Sequence, residues 1–213
     1  MILNTHQTSN NPEVAILALH GWSGDEDSMV PVAKTMRIND AAWYIPRAPY
    51  ASSSGNGYTW FSGSDEEGWK YKKSFSLLNN LMSKIRDDGF SNDSIYLVGF
   101  SMGASLALEF ALRVKYQIGG IIPIAGFIKD EVRLKSDATK ASRTTPILIL
   151  HGEKDDIVHP ESGQKTYDFL SEQGYCVKLI TFRGGHKIPF SAGEAINTFI
   201  SEQINFASNQ TSD

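Results

Sequence analysis

The sequence is poor in the features that mark several common classes of protein. It has one cysteine, Cys176, so no internal disulfide can form, and the apolar run 175–180 around it predicts a buried, inert thiol. Basic runs are missing too. With 20 Lys and Arg against 24 Asp and Glu the net charge is −4, and without a positive patch to meet phosphates no nucleic-acid partner is expected. No apolar stretch reaches the ~18 residues of a membrane span. Residues 1–7, MILNTHQ, hold neither the basic nor the long apolar part of a secretion signal. The expectation is a cytoplasmic protein with no membrane span. No repeat occurs, and no Pro/Gly/Ser-rich seam splits the 213 residues, which predicts one domain with a core over about 14–206 and a polar tail at 207–213.

What the chain does have is 41% hydrophobic residues, enough for a full core, distributed in a regular alternation. Short β-branched runs at 14–19, 42–45, 94–100, 119–125, 146–150 and 175–182 alternate with helical patterns at about 28–36, 72–87, 102–115, 161–172 and 190–206. That order predicts an α/β fold: a mostly parallel sheet with helices on both faces. Asp27 is the expected cap of the first helix. The segment 102–115 is apolar nearly all round and is expected to be the most buried helix. Two long connections remain, 47–69, rich in glycine, serine and aromatics, and 126–145; loops of this length tend to be functional.

The strongest chemical signal is Gly99-Phe100-Ser101-Met102-Gly103, between a predicted strand and a predicted helix. This is the context of a G-x-S-x-G turn, in which flanking glycines permit a sharp bend that presents a serine hydroxyl at the sheet edge. A serine hydroxyl is a weak nucleophile and needs a base held by a carboxylate, following in the order acid then histidine. The acid comes from His151-Gly152-Glu153-Lys154-Asp155-Asp156, at the end of a predicted strand. Glu153, Asp155 and Asp156 are adjacent; Asp155 is preferred and Asp156 is the alternative. Of the five histidines, His6 lies in the N-terminal tail, His20 and His151 precede glycines at strand ends, and His159 lies two residues before a helix. His186 alone follows the acid loop with a strand between. The glycine-rich turn His20-Gly21-Trp22-Ser23-Gly24 is placed to supply backbone N–H groups to an oxyanion, with Trp22 and Met102 as donors.

The segments Leu19-His20-Gly21, Pro46-Arg47-Ala48-Pro49, Trp60-Phe61, Gly99-Phe100-Ser101-Met102-Gly103-Ala104, Ala125-Gly126-Phe127, His151-Gly152 with Asp155, and Gly185-His186 resemble, in order and rough spacing, the α/β-hydrolase fold. More narrowly they resemble the phospholipase/carboxylesterase family, which includes acyl-protein thioesterases and small bacterial esterases. The resemblance spans roughly residues 14–203. It implies a triad of Ser101, Asp155 and His186, an acyl-enzyme intermediate, and no metal or cofactor. The family pattern HGxxDxxVP aligns Asp155 with the triad acid, but His159 stands at the family's proline and Pro160 follows one place later, so Asp156 stays open.

The resemblance and the residues together predict a carboxylesterase for small-molecule esters, monomeric or homodimeric, with activity rising through the ordinary histidine value of ~6.5. The segment 126–145 is mostly charged and polar and too short for a cap domain, which favours an open cleft and short-chain substrates, walled by Trp60 and Phe61 or merely packed by them. Two alternatives compete: an acyl-protein thioesterase or lysophospholipase, and a non-catalytic binding module that keeps the fold without turnover.

Overall fold

A computed structural model of the chain describes residues 1–64 and 68–210, with side chains through residue 206. Parts of two segments discussed above, 65–67 of the aromatic loop and 211–213 of the tail, lie outside the described residues. Seven strands form the main sheet: β1 (Leu3–Gln7), β2 (Val14–Leu19), β3 (Ala41–Pro46), β6 (Ile95–Phe100), β7 (Gly120–Ile124), β8 (Ile147–Gly152) and β9 (Val177–Phe182), in the order β1-β3-β2-β6-β7-β8-β9. All neighbours run parallel except β1 on β3. A small hairpin, β4 (Tyr50–Ala51) and β5 (Tyr58–Thr59), stands inside the long aromatic loop.

Both faces of the sheet are buried, as continuous apolar strands require. On β2, Ala15, Leu17 and Leu19 join one core while Val14, Ile16 and Ala18 join the other. The first core is closed by α2 (Lys72–Asp87), α3 (Met102–Ala111), α4 (Glu131–Asp137) and α5 (Pro160–Glu172), the second by α1 (Val30–Thr35) and α6 (Ala192–Gln210). Within α3 every residue from Gly103 to Ala111 is buried, so this helix is held by packing on all sides. Among the described residues no separate cap domain covers the carboxyl ends of the strands.

Several details differ from the sequence expectation. Strand β1 exists although LNTHQ has little apolar content; it is an edge strand, made by antiparallel pairing from Leu3↔Pro46 to Gln7↔Ala42. His6 therefore belongs to a strand, not a loose tail. The turn before α1 is organised by Asp25, whose Oδ1 accepts from the N–H groups of Asp27 and Ser28 at 3.0 and 3.1 Å, whereas Asp27 Oδ1 accepts from Asn4 Nδ2 at 2.8 Å. Cys176 is exposed, because it precedes the outermost strand, where no further strand among the described residues pairs with the edge. The segment 126–145 contains α4, with Asp130 Oδ1 accepting from Arg133 N–H at 2.9 Å as its cap.

Candidate active site

Strand β6 ends at Phe100 and α3 begins at Met102, leaving Ser101 alone at the bend with φ 53° and ψ −117°. A β-carbon there sits in a sparsely populated region, which costs about 1–3 kcal/mol. The bend is held by Ser101 N–H donating to Ile124 O at 2.9 Å and by Ala104 and Ser105 N–H donating to Ser101 O at 3.0 and 3.1 Å. The flanking glycines answer to close approach. A β-carbon on Gly99 would lie 2.4 Å from Gly103 O, and one on Gly103 only 2.3 Å from Leu19 O.

From the carboxyl ends of β8 and β9 two loops converge on Ser101. His186 Nε2 lies 3.0 Å from Ser101 Oγ, and His186 Nδ1 lies 2.8 Å from Asp155 Oδ2. A carboxylate only accepts, so Nδ1 carries the proton and Nε2 offers its lone pair to the serine hydroxyl. Phe100 packs against the imidazole, 4.9 Å between ring centres. Asp155 is buried, and its other oxygen accepts from Ile157 and Val158 N–H at 3.0 and 2.9 Å. Burial by itself pushes this carboxyl up, but the hydrogen bonds from His186, Val158 and Ile157 outweigh it and hold Asp155 below the ordinary carboxylate value. Asp156 is exposed, and so is Glu153, which accepts from Thr181 Oγ1 at 3.3 Å. The two loops are joined by Glu153 and Lys154 N–H donating to Phe182 and Gly184 O, both at 2.9 Å.

The turn after β2 faces Ser101: a β-carbon on Gly21 would lie 3.6 Å from Ser101 Cβ. Among the described residues neither the Trp22 nor the Met102 N–H is engaged by another group. The Trp22 side chain is 55% exposed at this edge.

Of the two aromatics expected either to wall the cleft or to pack the loop, Trp60 packs and Phe61 lies at a cavity edge. Trp60 is 0% exposed and Phe61 2%. Trp60 Nε1 donates to His20 O at 2.8 Å and its ring lies 4.8 Å from the His20 ring, while Phe61 packs edge-on to Trp69 and Tyr71. The aromatic loop is thus pinned to the body, and Trp60 has no surface left for a substrate. Arg47, paired with Glu26 and 4.5 Å above the Tyr58 ring, ties the same loop to the turn after β2. Phe61 does border a cavity of about 580 Å³ shared with Trp69, Tyr71 and Ile128.

Two histidines set aside on sequence grounds frame the site. His20, fully buried, donates from Nδ1 to Gly21 O at 2.7 Å and accepts at Nε2 from Ala48 N–H at 3.1 Å. His151 is 1% exposed and touches the acid loop. The signal available was a repeated Leu-His-Gly at the carboxyl ends of two parallel strands. Burial lowers the pKa of His20, outweighing the Gly21 carbonyl and the charges of Asp25 and Glu26 that raise it. The unfolded chain therefore takes up a proton near pH ~6.5 that the folded protein resists, so stability is lost as pH falls below that value. In thermal melts the gap between wild type and His20→Asn is expected to narrow from pH 7.5 to pH 5.5; a constant gap would show that His20 contributes no such linkage.

A mostly parallel sheet with helices on both faces and a serine at the bend after a central strand, met by histidine and aspartate from the last two strand ends, defines an α/β hydrolase. The chain matches the model of the Phospholipase/Carboxylesterase family over residues 2–204, and it belongs to that family of ester hydrolases. It is 27% identical over 203 residues to acyl-protein thioesterase 1 of Neurospora crassa, covering 87% of this chain and 82% of the relative. Carboxylesterase SOBER1 of Arabidopsis thaliana is 24% identical over 205 residues, covering 89% and 90%. The crystal structure of SOBER1 has a TM-score of 0.79 at 22% identity, with 90% of this chain and 99% of that one covered. No helix among the described residues is long and apolar enough to cross a membrane.

Proposed function

We propose that the protein hydrolyses small carboxylic esters through an acyl-enzyme on Ser101. The observation that carries this reading is the unbroken chain from Ser101 Oγ through His186 to Asp155, at 3.0 and 2.8 Å. Ser101 Oγ attacks the carbonyl carbon as His186 Nε2 takes its proton. The carbonyl oxygen, now an anion, is received by the N–H groups of Trp22 and Met102. The protonated imidazole, steadied by Asp155, then gives its Nε2 proton to the departing alkoxide, and the alcohol leaves. Water attacks the acyl-serine with His186 again as base, releasing the acid and restoring Ser101. The proton given to the alcohol comes from Ser101, and the one that restores Ser101 comes from water, each carried by His186.

Short acyl groups fit the segment that follows β7. In α4 only Leu134 is buried, and Val132 stands 84% exposed, so this segment supports an open cleft better than a closed apolar tunnel. A second reading, cleavage of acyl-protein thioesters, is favoured by the likeness to the Neurospora acyl-protein thioesterase. Rates on oxygen and sulfur esters from two to sixteen acyl carbons separate the two. The expected optimum is at short oxygen esters; rates that climb to the longest thioesters would replace the first reading by the second.

A further inference from the structure

We propose that His151 is a positioning residue that holds Asp155 in line with His186. The proposal rests on the Ser101–His186–Asp155 reading and adds a member behind it. His151 stands at the carboxyl end of β8, and its Nε2 lies 2.8 Å from Val158 O. A carbonyl oxygen only accepts, so Nε2 carries a proton and donates it. Val158 N–H in turn donates to Asp155 Oδ1. One residue is thus gripped on its carbonyl by His151 and on its N–H by the acid, which fixes the turn 155–158 although Asp156 and Ile157 in its middle are exposed. His151 Nε2 also lies 3.6 Å from Asp155 Oδ2, the oxygen that accepts from His186. That is too long for a hydrogen bond, so His151 acts on the acid through Val158 and through close packing against the carboxylate.

The other ring nitrogen indicates that packing alone does not account for this side chain. His151 Nδ1 is buried and has no hydrogen-bond partner among the described residues. It faces the first turn of α5, where a β-carbon on Gly163 would lie 2.4 Å from it. A buried lone pair without a donor is a cost that an apolar ring of similar size would avoid. Phenylalanine would remove that lone pair but also the Nε2–H bond to Val158 O, two opposing effects of similar size, so the histidine is accounted for by what its Nε2–H does for the acid loop.

The test combines steady-state kinetics with the rate at which a fluorophosphonate labels Ser101. His151→Phe keeps the bulk, removes the donor and removes the orphaned lone pair. Its melting temperature is expected to stay close to wild type, while kcat falls roughly 10- to 100-fold, as small misplacements of catalytic groups do, and KM stays within about twofold. His151→Gln, whose side-chain amide can donate to Val158 O, is expected to recover most of the rate. In an Asp155→Asn background, His151→Phe is expected to slow labelling less than about twofold further, because the group it positions is already disabled. Unchanged kcat in His151→Phe, no recovery with Gln, or a full multiplicative loss in the Asp155→Asn background each overturns the proposal. Should His151→Phe fail to fold, Gly163→Ala pushes the ring from the other side and is expected to lower kcat with KM held; unchanged kcat there overturns it as well. Failure of the triad reading looks different: Ser101→Ala would then turn over like wild type, whatever the His151 variants do.

Discussion

Replacing Ser101 by alanine is expected to lower ester hydrolysis by roughly four to six orders of magnitude and to abolish fluorophosphonate labelling, since removing the nucleophile of such a set costs about as much as removing the whole set. The residue that remains, about 10³- to 10⁴-fold over water, belongs to the oxyanion donors and to substrate binding. Stability should move in a second, separable way. Ser101 sits at φ 53°, and an alanine there keeps the strained β-carbon, whereas Ser101→Gly removes it. Relief of about 1–3 kcal/mol against about 0.5–1 kcal/mol of extra glycine entropy predicts that the glycine variant melts above the alanine variant. Both are inactive. Hydrolysis by Ser101→Ala at the wild-type rate would sink the nucleophile assignment, and a glycine variant melting below the alanine variant would show that the bend is unstrained.

Asp155→Asn is expected to cost on the order of 10⁴ in kcat, because an amide no longer holds the imidazole in the tautomer with Nδ1 protonated. Asp156→Asn, one residue away and exposed, should stay within about twofold. Equal losses in the two would mean that the acid loop rearranges when substrate binds. The same pair carries a stability signature. Asp155 is held below the ordinary carboxylate value despite the burial that pushes it up. As pH falls through about 4, the ordinary value, the unfolded chain takes up a proton that the folded protein refuses. The stability contributed by Asp155 is therefore complete above that pH and is lost as the pH falls on through the lower folded value. Acid melts of wild type should drop more steeply over this range than those of Asp155→Asn, and Asp156→Asn should follow wild type.

Much of this molecule is legible in its sequence wherever the information is local. Period-two and apolar runs marked six of the seven main strands, and helical spacing in Lys72–Asp87 gave α2 its full length. Strand β1 was invisible because an edge strand is defined by its partner: LNTHQ becomes a strand only by pairing with β3. The same reasoning covers Cys176, whose apolar neighbours suggest burial although the strand they lead into is the last of the sheet. Aromatic residues in a long loop pointed equally to substrate contact or to packing, and only the placement of Trp60 under His20 decided for packing.

By itself the sequence determined the alternation of strands and helices, the serine at a strand-to-helix bend and the order of acid and histidine behind it. Each of these depends on neighbours a few residues apart. Tertiary structure decided which groups meet. His186 reaches Asp155 across 31 residues and Ser101 across 85, distances fixed by strand order and by loops that join edge to edge. It also buried Asp155 against His186 and left the adjacent Asp156 exposed, and it set two strand-end histidines, His20 and His151, against the backbone that frames the site. Sequence pattern reports local periodicity, and a choice made at one-residue resolution by a folded loop leaves no periodic trace.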